Sequence, residues 1–245
     1  MRMWGATDTG LVRKENQDAY MMRETTDSGH AVCVVCDGMG GPAGGRMASG
    51  IAVETYYKEL TKRLRPGIAT RDIRQASAFA VAEANRAIRR AAEVNEEFRH
   101  MGTTLVSAVS CEGGAVITNV GDSRAYAISR EGITRITRDH SLVQNMVERG
   151  EITAEEARRH PQRNVITRAL GPDETVQCDV FVWSMDPGSW LLLCTDGLTE
   201  TVSDQELLFE VLHGGGKGDC LERLLSIAKG RGAPDNVTAV LIQNR

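Results

Sequence analysis

The sequence predicts an α+β fold of antiparallel sheets with helices set apart in pairs. Three observations carry that expectation. Short β-branched stretches follow one another through the middle of the chain, separated by turn residues. Two long helical periodicities sit together before them and two shorter ones near the C-terminus. Strands and helices do not alternate one for one, as a doubly wound parallel sheet requires.

Taken in order, Ala31-Val32-Cys33-Val34-Val35-Cys36 is an apolar run of strand length and reads as a buried strand. A glycine-rich turn from Asp37 to Gly45 follows, then a helix over 46–64. Its Ala48, Ala52, Tyr56, Leu60 and Leu64 recur every four residues and share a face, and Pro66-Gly67 ends it. A second helix over 71–94 carries Ile73, Ala76, Ala80, Ala84, Ala87, Ile88 and Ala91 as its stripe. Side chains that small predict close packing against a neighbour. Strands are expected near 103–109, 115–120, 124–129 and 133–137, polar helical character over 141–160, and further strands near 176–183 and 189–194. Ser203-Asp204-Gln205-Glu206 has capping-box spacing, so a helix should start at 204. Another, over 219–229, should stop at Gly230, and Val237 to Ile242 reads as a closing strand.

A chain of 245 residues can bury roughly 70–75% of its unfolded surface, so it needs no disulfides or structural zinc. Its 29 Lys+Arg against 33 Asp+Glu leave −4, without a basic stripe. That argues against nucleic-acid and anionic-membrane partners. No apolar run approaches the roughly 18–20 residues of a membrane span. Of the six cysteines, Cys33 and Cys36 form a C-x-x-C, but no second pair completes a zinc site. Buried free thiols in a reducing cytoplasm are the expectation.

The aspartates carry the chemistry. Asp37, Asp122 and Asp196 each sit beside a strand-like run and a glycine, in Cys36-Asp37-Gly38, Gly121-Asp122-Ser123 and Thr195-Asp196-Gly197. Asp235 precedes Asn236 and the last strand, and Asp18 ends Glu15-Asn16-Gln17-Asp18. One strand-end Asp-Gly is ordinarily the start of a turn. Five carboxylates at separate strand ends, most without an adjacent cation, would repel one another if brought together without a cation. All-oxygen donors suit Mg²⁺ or Mn²⁺ rather than zinc. Spacing alone leaves a set of turns and a metal cluster both open.

Eight motifs in order then match a known family: Gly10-Leu11-Val12-Arg13-Lys14-Glu15-Asn16-Gln17-Asp18, Asp37-Gly38-Met39-Gly40-Gly41, Gly102-Thr103-Thr104, Gly121-Asp122-Ser123-Arg124-Ala125-Tyr126, Asp139-His140-Ser141, Arg163 to Gly171, Thr195-Asp196-Gly197-Leu198 and Asp235-Asn236-Val237-Thr238. From Gly5 to Ile242 the chain resembles the bacterial metal-dependent Ser/Thr protein phosphatases of the PPM family, also called type 2C. The resemblance implies a four-layer α-β-β-α sandwich, two antiparallel sheets flanked by pairs of antiparallel helices, in a single domain over 1–245. It implies two or three Mn²⁺ or Mg²⁺ ions and attack on phosphoserine or phosphothreonine by a metal-activated water.

By resemblance, Asp37 bridges two ions with the Gly38 carbonyl as a further ligand, Asp18 lies nearby and holds metal-bound waters or a metal, and Asp196 and Asp235 complete the second ion's shell. Asp122, with Asp196, would hold a third and weaker ion. Arg13 would grip the phosphate, since a planar guanidinium holds two oxygens at once. Arg124 and Asn236 are expected to orient the ligands. Residues 140–170 correspond to the family's flap, with Gly150 and Ile152 at a hinge-like turn. His140 and His160 are acid–base candidates by type, though a loop or cap role is the simpler reading of each. Two departures stand out: Pro42 where relatives often have His, and Gly45-Arg46 where they often have Gly-Glu. The first leaves the general acid open. Phosphorylated proteins are the implied partners, among them a Ser/Thr kinase and its substrates. A non-catalytic sensor of the same fold, a small-molecule phosphatase and a phosphodiesterase are the competing functions.

Overall fold

Two antiparallel sheets lie face to face with helices on both outer surfaces in this computed structural model. It describes every residue except Pro42, Asn95 and Arg245, and of Lys217 the backbone only. The strands are β1 (Arg2–Asp8), β2 (Asp18–Glu24), β3 (Ala31–Met39), β4 (Gly102–Thr103), β5 (Leu105–Cys111), β6 (Gly114–Val120), β7 (Arg124–Ser129), β8 (Gly132–Arg135), β9 (Asp179–Ser184), β10 (Trp190–Cys194) and β11 (Val237–Gln243). The helices are α1 (Gly44–Thr61), α2 (Thr70–Val94), α3 (Leu142–Glu148), α4 (Ala154–Arg159), α5 (Asp196–Thr199), α6 (Asp204–His213) and α7 (Lys217–Gly230). One sheet runs β1-β11-β10-β7-β8; the other runs β2-β3-β5-β6-β9, with β4 paired to β3.

Side-chain alternation on β3 shows how the layers form. Val32, Val34 and Cys36 pack under α1 and α2 with Ala48, Ala52, Tyr56 and Ile73. Cys33 and Val35 face the other way, into a core shared with Leu191, Leu193 and Val240 of the opposite sheet. A strand's period of two therefore sends the C-x-x-C thiols to opposite faces, where they cannot share a metal. A third core joins the first sheet to α6 and α7 through Leu192, Leu207, Val211, Leu224 and Leu241. The small-residue stripe of α2, with Ala76, Ala80 and Ala84 buried, lets it sit close to α1. Tyr56 spends its hydroxyl on the Ser107 hydroxyl at 2.7 Å, so its burial leaves no polar group stranded.

Most predicted elements appear within a few residues of their expected bounds, and Ser203 and Glu206 form the capping box that opens α6. Three differences have physical causes. The strands β1 and β2 carry no clear alternation and owe their conformation to pairing, β1 along β11 and β2 along β3. The short α5 opens at Asp196 behind its N-cap Thr195, and at four residues it is too brief to show a helical period in the sequence. Gly230 is the last residue of α7 and not its stop: the chain turns two residues later, at Gly232, where φ is +98°.

Candidate metal centre

The five aspartates gather where the chain passes between the sheets, at one end of the sandwich. The segment between β1 and β2 carries Arg13 from one sheet to the other and delivers Asp18 at the start of β2. Asp122 lies in the turn by which β6 of one sheet becomes β7 of the other. Asp196 opens α5 one residue past the end of β10, and Asp235 precedes β11. Asp18 and Asp37 are direct cross-strand partners on β2 and β3, the pairing that like charges disfavour most.

A cavity of about 480 Å³ opens there, lined by Arg13, Asp37, Gly38, Asp122, Asp196 and Asp235, with Met39, Thr104 and Asn236 among its walls. Asp18 stands behind that lining, on the wall of an adjoining recess. Its Oδ2 accepts hydrogen bonds from Thr195 Oγ1 at 2.9 Å and Thr238 Oγ1 at 2.7 Å, which ties it to the opposite sheet. Its Oδ1 and the Oδ1 of Asp196 are buried without a hydrogen-bond partner among the described residues. Orphaned buried carboxylate oxygens are expensive and call for an explanation such as an ion.

The electrostatics agree. Burial raises the Asp18 pKa from 3.8 to about 7 against its two hydroxyl donors, with the charges of Asp196 and Asp235 adding to the rise. Burial, then the charges of Asp18, Asp196 and Asp122, holds Asp37 well above the carboxylate range. Asp122 is raised by burial and by Asp196, and Asp196 is raised to about 6 by burial and the charges of Glu200 and Asp235. Divalent cations would remove both the repulsion and the orphaned oxygens. Among the described residues no three His, Cys, Asp or Glu side chains stand in a geometry that holds an ion as they are. Charge-repelled carboxylates would have to draw together around one. The donor set, all oxygen and acidic, fits hard ions such as Mn²⁺ or Mg²⁺.

Supporting contacts fix the loops. Thr103 Oγ1 and Thr104 N donate to the Asp37 carbonyl at 2.8 and 2.9 Å, and Asp37 N donates to Thr104 Oγ1 at 3.0 Å. The two threonines, readable as plain strand residues, therefore lock the Asp37 backbone. A Cβ on Gly38 would lie 2.1 Å from the Gly45 carbonyl oxygen, so the glycines let the start of α1 press onto β3 beside Asp37. Asn236 clamps the Arg13 loop: its Oδ1 accepts from Gln17 N at 2.8 Å, and its Nδ2 donates to the carbonyls of Thr9 at 2.8 Å and Glu15 at 2.9 Å. Arg13 reaches in from solvent, 57% exposed, and donates to Asp235 Oδ2 at 2.7 Å.

Some expected residues lie elsewhere. Arg124 touches none of the five aspartates; its Nη2 donates to Asp139 Oδ2 at 2.7 Å and its Nε to Oδ1 at 3.0 Å. It orders the start of the 140–170 segment instead. Gly150, at φ +70°, and Ile152 form the turn between α3 and α4 but do not line the cavity. Asn164 and Ile166, from the returning arm of that segment, do. His160 ends α4 and accepts from Gln162 N at 3.1 Å, while His140 is buried behind Gly121. Pro42 lies outside the described residues; Arg46 is exposed on the adjoining recess. Thr195 and Thr238 were the residues that spacing could not single out, since their importance comes from facing Asp18 across the sheets.

A two-sheet sandwich with an acidic, cation-demanding cavity between its sheets defines a metal-dependent phosphatase of the type the motifs resemble. Residues 12–220 match the family described as protein phosphatase 2C, and the chain belongs to that family. It is 35% identical over 240 residues to the serine/threonine phosphatase stp of Listeria monocytogenes, covering 97% of this chain and 93% of that protein. The crystal structure of serine/threonine phosphatase Stp1 from Staphylococcus aureus superposes with a TM-score of 0.91 at 36% identity, over 99% of this chain and 94% of that one. The catalytic domain of the serine/threonine protein phosphatase PstP, solved in complex with two manganese ions, matches with a TM-score of 0.83 at 31% identity, over 98% and 96%.

Proposed function

We propose that this chain removes phosphate from phosphoserine and phosphothreonine on proteins, with Arg13 gripping the phosphate and Asp37, Asp196 and Asp235 holding the divalent ions. Asp18 supports the same ions from behind, the Gly38 carbonyl adds a ligand, and Asp122 with Asp196 takes a third, weaker ion. When bound, Mn²⁺ or Mg²⁺ supplies an activated water and neutralises charge on the phosphoryl oxygens.

The chain's own residues perform the rest. Thr195 and Thr238 fix one oxygen of Asp18 and leave the other free. Asn236 holds the loop that aims Arg13. Arg13, half in solvent, moves between Asp235 and an incoming phosphate by side-chain rotation alone. Its two parallel N–H groups match two phosphate oxygens in the in-line geometry that phosphoryl transfer requires. Residues 1–245 act as one domain, with 140–170 as the flap at which a phosphoprotein docks. A Ser/Thr kinase and its substrates are the partners in view, in a reducing cytoplasm that suits six free cysteines.

The observation that carries this reading is the pair of orphaned carboxylate oxygens in a cluster of raised-pKa aspartates. A sensor that had given up catalysis would have no reason to retain it. The test is turnover of a phosphothreonine peptide with and without Mn²⁺, beside Asp37→Asn. Turnover should need the metal and fall at least 100-fold in the variant; metal-independent turnover would refute the reading.

A further inference from the structure

One buried residue, through its backbone and its ring, joins both ends of the 140–170 segment to the turn that carries Asp122. His140 N–H donates to the Gly121 carbonyl at 2.9 Å, and its ring Nδ1 accepts from Gly121 N–H at 3.0 Å. Thr167 N–H, on the returning arm, donates to the His140 carbonyl at 2.7 Å. On the far side of the ring, Nε2 lies 3.2 Å from Asp179 Oδ2 at the start of β9. Arg168 Nη1 donates to Asp179 Oδ1 at 3.1 Å and stands 3.2 Å from Nε2.

The chemistry of these partners fixes the ring. A backbone N–H can only donate, so Nδ1 must present its lone pair to Gly121. The proton of the neutral ring then sits on Nε2 and points at Asp179, whose carboxylate selects that tautomer. Gly121 has little freedom to compensate: its φ is +101°, and Thr104 Cγ2 lies 2.6 Å from where a Cβ would stand. Its carbonyl also accepts from Asn119 Nδ2 at 3.2 Å. The residue next in the chain is Asp122.

We propose that His140 is a positioning residue for Asp122, which fixes the Gly121–Asp122 turn through Nδ1 and is itself held by Asp179 and Arg168. The aim of one carboxylate is thereby set from the far end of the flap segment. The proposal rests on Asp122 being a metal ligand, as given above.

The test is Mn²⁺ titration of the metal-free full chain by calorimetry, with the ion lost in Asp122→Asn taken as the reporter. His140→Asn keeps an acceptor close to the place of Nδ1 but cannot reach Asp179; His140→Gln reaches toward Asp179 but offers Gly121 no acceptor. Affinity for the reporter ion should fall about tenfold or more in His140→Gln and stay within about threefold of the parent in His140→Asn. Equal effects of the two variants, whether both null or both large, would overturn the role. If circular dichroism shows either variant unfolded, Asp179→Ala carries the test, because it frees the imidazole to turn or change tautomer, a failure to which an amide at 140 is not open: a fall of about tenfold, restored by Asp179→Asn, supports the proposal, and unchanged affinity overturns it. If Asp122→Asn leaves Mn²⁺ binding as it was, the assignment of Asp122 itself fails and the proposal goes with it. An affinity lost in Asp122→Asn but untouched by the His140 and Asp179 variants removes the proposal alone.

Discussion

Replacing Asp196 by Asn should make the metal-free protein more stable while destroying its function. Burial, helped by the charges of Glu200 and Asp235, raises the Asp196 pKa from 3.8 to about 6. At about 1.4 kcal/mol per pH unit, keeping that carboxylate ionised at pH 8 costs the folded chain about 3 kcal/mol. An acid whose pKa rises on folding binds its proton more tightly in the folded state. The penalty is therefore absent below the unfolded value, grows as pH climbs from 3.8 to about 6, and is constant above. Neighbouring carboxylates share the repulsion, so the Asn variant should gain about 1–3 kcal/mol at pH 8, and a raised melting temperature of roughly 3–10 °C. The assay is thermal unfolding in EDTA at pH 8 and at pH 4.5, where the advantage should shrink. Saturating Mn²⁺ should reverse the order, because binding at 100 times Kd adds about 2.7 kcal/mol to the parent and less to a variant missing a ligand. A variant that melts below the parent in EDTA at pH 8, or a gain equal at both pH values, would refute the electrostatic account of the cluster.

Two further outcomes follow from the same contacts. Arg13→Lys keeps the charge and loses the two-pronged grip; kcat/KM for a phosphopeptide should drop about tenfold or more, while urea unfolding shifts by less than about 1 kcal/mol because the Asp235 pair is solvent-exposed on the arginine side. Asn236→Ala removes three hydrogen bonds to the Arg13 loop. At about 1 kcal/mol each, the urea transition should fall by roughly 3 kcal/mol, with a higher KM for phosphopeptide as the loop loosens.

The long helices, the buried strand at residues 31–36 and the capping box at Ser203 were legible because their signals are local. Four-residue periodicity, a continuous apolar run and an S-x-x-E spacing each act within one or two turns of chain. The strands β1 and β2 were not legible, because their pairing partners supply what their own residues lack. The helix α7 runs one residue past its expected end because Gly230 tolerates the helix, and the turn takes its positive φ at Gly232. Within the site, Arg124 illustrates the limit: the resemblance implied that it orients the metal ligands, but along β7 the side chain leaves the turn and meets Asp139.

The sequence by itself determined the donor types, five aspartates near strand ends, three of them beside a glycine, and an arginine in the first loop, and the order of its eight motifs carried the family resemblance that gave them roles. Which of them meet was decided by the stacking of the two sheets. Asp18 belongs to one sheet and is held by Thr195 and Thr238 of the other, across some 180 and 220 residues of chain. No local pattern encodes a contact of that separation. It exists because the inter-sheet core fixes how far apart and at what register the strand ends lie, and that packing leaves Asp18 Oδ1 and Asp196 Oδ1 buried without a hydrogen-bond partner among the described residues.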